Sequence, residues 1–255
     1  MLTRLLSLIR FHLDCLRAYF RPGARWKLAT PWHILRQAGY YFANESYSFF
    51  VFGAESLAFA GQRRLIQLDQ ALNRRYFYPS QFMLALREGL KVEQPETLYR
   101  LTYGETTYFG IRAAFKAVSV KADDVFYDLG CGTGRNVFYA NLVHGLDAVG
   151  IDLLPSFVSH GKALASQFNL SKVHFLEQNI FATDLSRATI VYITANCYDQ
   201  QTMGQLVERL KDLPLGARVI STHRPIPSPR LKPIKDQLLP FSWGVDRMYY
   251  QQVAQ

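Results

Sequence analysis

Two different periodicities divide the chain near residue 95. Before it, apolar residues recur at helical spacing, with Leu5, Ile9, Leu13 and Leu16 on one stripe and Arg4, Arg10, Arg17 and Arg21 off it. The pattern predicts an amphipathic helix at the start of a mostly helical region running from Met1 to about Gly89. After the division, short apolar runs alternate with helical ones. DVFYDL, DAVGID, KVHFLE, TIVYIT and ARVIST read as strands; TYFGIRAAFKAV, RNVFYANLV, PSFVSHGKALASQF and QQTMGQLVERLKDL read as helices between them. Such alternation predicts an α/β fold: a Rossmann-like, doubly wound, mostly parallel sheet with helices on both faces, preceded by a helical N-terminal region. HRPIPSPRLKPIKDQ, where proline forbids helix and charge keeps the chain wet, reads as a loop before one closing strand region, FSWGVDRMYYQQV. The domains expected are therefore residues 1–95, basic and helical, and residues 96–255, a nucleotide-binding sheet.

Charge sharpens that division. Of the chain's 255 residues, the first 95 carry 13 Lys and Arg against 6 Asp and Glu, whereas the rest carry 16 against 14. A basic N-terminal third favours an anionic partner, either nucleic acid, a phospholipid surface or an acidic protein face, beside the plainer reading of a solvated basic surface. The aromatic stretch that ends in Arg63-Arg64 and Arg74-Arg75 allows base stacking, although helix packing is the commoner use of such aromatics. Cys15, Cys131 and Cys197 cannot pair completely and lack metal-ligand spacing, which points to a reducing, cytoplasmic location and to no metal. Arg4, Arg10, Asp14 and Arg17 break the N-terminal apolar run before it resembles a signal peptide, and Glu55 interrupts a second apolar run too short to span a bilayer. Peripheral membrane association through the basic helix remains compatible with this pattern.

The chemistry concentrates in YDLGCGTG, residues 127–134, at a predicted strand-to-helix junction. Gly130, Gly132 and Gly134 permit positive φ angles and close approach of a ligand to the backbone. In an open parallel sheet such a turn lies where ligands bind. Asp152, twenty residues after Gly132 at the end of the next strand, can accept hydrogen bonds from both hydroxyls of an adenosine ribose. A dinucleotide or S-adenosylmethionine fits these features. The glycines follow G-x-G-x-G rather than G-x-G-x-x-G, and an anionic Asp128 suits a cationic amino or sulfonium group better than a pyrophosphate. Cys131, with no nearby histidine in the sequence, reads as a small filler within the loop.

The FLEQNIF segment after the third strand also resembles class I methyltransferases, with Asn179 standing where those enzymes usually carry an aspartate toward the adenine amino group. A narrower resemblance lies in YGETT before the glycine loop, RVIST on a late strand, and FSW followed by a Tyr-Tyr pair. Over about residues 98–255 the chain resembles the Dot-one-type, non-SET histone-lysine methyltransferases and their bacterial relatives. The resemblance implies that Tyr103, Gly104 and Glu105 close over the amino-acid end of S-adenosylmethionine. It implies that Thr106, Trp243 and Tyr250 line a channel for the target lysine, and that Asn196 or Thr194 is the polar residue facing the methyl donor. Arg135 departs from the neutral amide expected after the last glycine.

Methyl transfer to lysine asks for alignment, exclusion of water and a neutral amine, which an apolar aromatic channel favours by desolvation. Trp243, Tyr249 and Tyr250 suit such a wall, as they also suit a core. The leading expectation is protein-lysine N-methylation, with a nuclear or host-cell location should the substrate be chromatin. The alternatives are transfer to a small molecule, lipid or nucleic acid, and a non-catalytic adaptor for anionic surfaces. The absence of an NPPY-like stretch after the fourth strand argues against amino methylation of DNA bases.

Overall fold

Short apolar runs of four to six residues become strands, and those in the middle of the sheet are buried on both faces because helices cover the two sides of a parallel sheet. The computed structural model describes Tyr47 and residues 50–77, 79–92 and 104–255. The expected N-terminal amphipathic helix and the boundary near residue 95 lie outside the described residues, as does Tyr103.

Residues 50–58 are helical, followed by α1 (Arg63–Arg75) and α2 (Gln81–Val92). The remainder runs α3 (Tyr108–Ala117), β1 (Val125–Leu129), α4 (Arg135–His144), β2 (Asp147–Asp152), α5 (Pro155–Gln167), β3 (Val173–Glu177), β4 (Ile190–Ile193), α6 (Gln200–Arg209), β5 (Arg218–Thr222), β6 (Leu231–Phe241) and β7 (Gly244–Val253). Local chemistry sets several boundaries. Thr107 caps α3 by accepting from the Gly110 N–H, Asp199 caps α6 by accepting from the Thr202 N–H, and Gly145 ends α4 in the left-handed region.

The seven strands lie in the order β3-β2-β1-β4-β5-β7-β6. Strands β1 to β5 are parallel, and β7 inserts antiparallel between β5 and β6. The order reverses between β1 and β4, which places a crevice beyond Leu129 and Ile193. One apolar cluster, including Phe115, Phe126, Phe138 and Phe175, fills one face; another, including Ile151, Val191, Leu206 and Val219, fills the other. Phe59 and Tyr76 of the aromatic stretch are buried in the first cluster, whereas Arg63, Arg64, Arg74 and Arg75 are exposed.

The C-terminal expectation is corrected. Residues 231–241 form an 11-residue strand rather than the end of a wet loop, and the closing region is a hairpin of two strands. Pro233 is tolerated because β6 is the sheet edge, where a missing N–H interrupts no further ladder, and the register shifts between Pro233 and Lys235.

Candidate active site

The C-terminal ends of β1, β2 and β4 open into a cavity of about 260 Å³. Gly104, Glu105, Thr106, Asp128, Gly130, Gly132, Asp152, Asn179, Thr194, Asn196 and Trp243, all singled out in the sequence, line it together. Gly134 does not. It starts α4 beneath the loop at φ +82°, where a Cβ would stand 2.6 Å from the Phe175 ring. Gly130 and Gly132 also have positive φ, +81° and +52°. The backbone freedom anticipated for the loop is used at all three glycines.

Asp152 braces this loop. One carboxylate oxygen accepts from the Gly132 N–H at 2.8 Å and the other from the Leu154 N–H at 2.9 Å. Burial nevertheless pushes its pKa up to about 6, against the lowering effect of those backbone bonds. Asp128 is only 2% exposed, and its Oδ2 has no hydrogen-bond partner among the described residues. Burial raises its pKa to about 7; the Asn136 side chain opposes the shift and the neighbouring Asp152 charge adds to it. An unpartnered buried carboxylate is costly, and a cationic ligand group would satisfy it. Cys131 is buried and its thiol pKa is raised by burial, consistent with a filler rather than a nucleophile.

The opposite wall comes from distant segments. The Glu105 N–H donates to the Ser242 hydroxyl at 2.7 Å, and its Oε1 accepts from Thr133 at 2.9 Å, so the 104–107 segment bridges the β6–β7 turn and the glycine loop. The Thr106 hydroxyl hydrogen-bonds the buried Tyr192 hydroxyl on β4. Trp243 stacks on Phe241 with centroids 4.5 Å apart and covers Gly104, where a Cβ would meet its ring at 2.5 Å. Close approach of that ring requires a residue without a side chain at position 104. Asn196 accepts from the Thr222 hydroxyl at 2.6 Å.

One placement differs from the sequence reading. Tyr250 is fully buried on β7 and does not line the cavity; its hydroxyl donates to Gln237 at 3.1 Å. The Asn179 Oδ1 accepts from the Phe181 N–H at 2.9 Å, capping a single turn of 3₁₀ helix at Ile180–Ala182. The sequence reading did not pick out Phe157, Phe181, Asn136 or Thr202 as lining residues. Phe181 closes the FLEQNIF segment and Asn136 lies two residues after YDLGCGTG, so both could have been found by that position. Phe157 and Thr202 sit on helices whose apolar spacing reads equally well as core. Among the described residues, no group of three His, Cys, Asp or Glu side chains could hold a metal ion, and no helix is long and apolar enough to cross a membrane.

A doubly wound sheet with this glycine loop, two carboxylates at successive strand ends and an antiparallel last strand defines a class I S-adenosylmethionine-dependent methyltransferase. The family described as histone methylation protein DOT1 matches residues 88–236, more than half of the chain, and the chain belongs to that family. A histone-lysine N-methyltransferase, H3 lysine-79 specific, from Aspergillus fumigatus is 24% identical over 140 residues, covering 49% of this chain and 28% of that protein. A protein-lysine N-methyltransferase from Saccharolobus islandicus is 27% identical over 113 residues, covering 44% of this chain and 69% of that protein. The chain thus spans about a quarter of the length of the fungal relatives it matches. Among solved structures, an RNA methyltransferase from Salinibacter ruber in complex with S-adenosyl-L-homocysteine is similar, with a TM-score of 0.51 and 26% identity over 59% of this chain and 94% of that one.

Proposed function

We propose that the chain transfers a methyl group from S-adenosylmethionine to the Nζ of a lysine in a protein. The observation that carries the cofactor assignment is the unpartnered, buried Asp128 Oδ2 in a cavity lined by the glycine loop and Asp152. When bound, S-adenosylmethionine supplies an activated methyl group. Asp128 and Glu105 would hold the α-ammonium of its amino-acid end, and Asp152, already fixed by two backbone N–H donors, would receive the ribose hydroxyls on its remaining lone pairs. Asn179 would meet the adenine edge. Its Oδ1 is engaged by Phe181, so the adenine contact shares that oxygen or uses the amide nitrogen.

The lysine reading is supported by the names of the relatives and by the second wall. Thr106, Thr194, Asn196 and Trp243 combine hydroxyl and amide groups with an indole face around a confined space, and Tyr192 backs Thr106 from behind. A lysine ammonium titrates near about 10.4 in water and must lose a proton before transfer; a desolvated aromatic surround favours the neutral amine. Tyr250 acts behind this wall in the same reading, supporting β7. The exposed arginine pairs of α1, within a basic N-terminal third, favour an acidic face on the protein substrate.

The test is incubation of the chain with tritiated-methyl S-adenosylmethionine and separate fractions of nucleosomes, soluble protein, membranes and nucleic acid, then acid hydrolysis of the labelled fraction. Recovery of labelled methyl-lysine is expected. Label recovered in RNA instead would favour a second reading, the acceptor class named for the Salinibacter ruber structure, and would remove lysine from the proposal.

A further inference from the structure

Arg135, the residue that departs from a neutral amide, lies at the centre of a buried ionic cluster. Its side chain is 8% exposed and reaches Glu55 at 3.1 Å, Asp69 at 3.1 Å and Glu105 at 3.5 Å. The two shorter contacts both use Nη2 and go to the helices that precede the catalytic sheet; the longer one uses Nη1 and goes to the cavity. Neighbouring groups lock the arrangement. The Phe109 N–H donates to Glu55 at 3.2 Å, the Tyr108 hydroxyl donates to Asp69 at 3.0 Å, and the guanidinium lies over the Tyr108 ring at 4.1 Å and the Phe52 ring at 5.0 Å.

A single arginine facing a single glutamate would be a neutral pair, and a buried neutral pair offers little to a charged ligand. Here three carboxylates surround one guanidinium, and both Arg135 and Glu105 line the cavity. We infer that Glu55 and Asp69 are electrostatic positioning residues of the cofactor site: they offset the charge of Arg135 and so keep the Glu105 side of the cavity anionic toward the α-ammonium group of the ligand. The helical region before the sheet is on this account part of the cofactor site, although neither residue lines the cavity. The inference rests on the S-adenosylmethionine reading above. It adds a requirement that the glycine-loop motif does not contain, since Glu55 lies 75 residues before Gly130.

The experiment compares two ligands that share the adenosine part and differ in the amino-acid end: S-adenosylhomocysteine, which carries an α-amino group, and methylthioadenosine, which lacks it. Calorimetric affinities are measured for the full chain and for its E55Q/D69N variant. The variant is expected to lose about tenfold or more in S-adenosylhomocysteine affinity while methylthioadenosine affinity stays within about twofold, because Arg135 then neutralises Glu105 and only the α-ammonium group depends on that negative charge. Adding R135Q to that variant leaves Glu105 negative without a facing cation and is expected to restore most of the lost affinity, which a role limited to packing would not produce. Equal losses for both ligands, or no loss, would overturn the inference while leaving the cofactor reading intact. A triple variant still as weak as the double would overturn it as well. Failure of the unmodified chain to bind either ligand would overturn the cofactor reading and this inference together.

Discussion

Asp124 and Asp128 stand four residues apart at opposite ends of β1, both buried, and meet opposite fates. At the N-terminal edge of the sheet, Asp124 accepts from the Lys121 N–H at 2.7 Å, the Thr189 hydroxyl at 2.7 Å and the Arg218 guanidinium. At the C-terminal edge, Asp128 keeps one oxygen without a partner and has its pKa raised to about 7. The same residue type on one strand therefore serves architecture at one end and is left poised for a ligand at the other. Strand polarity accounts for the location: parallel strands end together, and the order reversal between β1 and β4 leaves the crevice on one edge only.

The largest effect expected from breaking this contrast is on stability. Asp124→Ala leaves the Arg218 guanidinium buried without its carboxylate and should cost about 3–5 kcal/mol of unfolding free energy, read by denaturant titration. S-adenosylhomocysteine affinity of the folded fraction should stay unchanged; a parallel loss of affinity would mean that the two ends of β1 are not independent. Asp128→Asn should do the reverse. Affinity should fall by about 1.5–3 kcal/mol, the range for a hydrogen bond to a charged group, with stability at neutral pH preserved because a costly buried charge is removed. Calorimetry beside thermal melts separates the two.

A smaller effect should follow pH. The Asp128 carboxyl binds its proton more tightly folded than unfolded, so its contribution to stability falls as pH rises from about 4 to about 7. Its ligand needs the ionised form. Affinity for S-adenosylhomocysteine should therefore be roughly tenfold lower at pH 6 than at pH 8, with proton release on binding at the lower pH. An affinity flat over that range would sink the pairing of Asp128 with a cationic group. The mildest change is Trp243→Phe, which keeps the stack on Phe241 but shortens the ring over Gly104. The KM for the methyl acceptor should rise a few-fold, with cofactor affinity within about twofold of the parent, since the indole belongs to the wall opposite Asp152. Steady-state kinetics with each substrate varied in turn would show it.

How much of this was readable in advance follows the sequence separation of the parts. The strand-loop-helix unit around Gly130, Gly132 and Gly134, and the carboxylates that end β1 and β2, lie within about twenty-five residues, and local rules decide their conformation. They are found in the cavity, except that Gly134 supports the loop from below. The second wall joins residues as far apart as Gly104 and Trp243, and no periodicity announces which aromatic of the last hairpin faces inward. Tyr250 and Trp243 were equal candidates as residue types. Only the alternation of faces along β7 and the turn position of Trp243 separated them.

Pro233 illustrates the same limit from the other side. Proline and charge in HRPIPSPRLKPIKDQ gave a sound local argument for a loop, yet an edge strand tolerates both, and whether a segment lies at an edge is a property of the assembled sheet. Arg135 shows it in the site. Its departure from a neutral side chain is visible in the linear chain, but the carboxylates that answer its charge arrive from Glu55 and Asp69 through packing of preceding helices. The order of residues alone determined the alternating α/β architecture, the glycine loop and its two aspartates, because backbone freedom and hydrophobic period act over a few residues. The tertiary structure decided the far wall, the edge strand and the ionic cluster, because charge and shape complementarity act only between surfaces that folding has brought together.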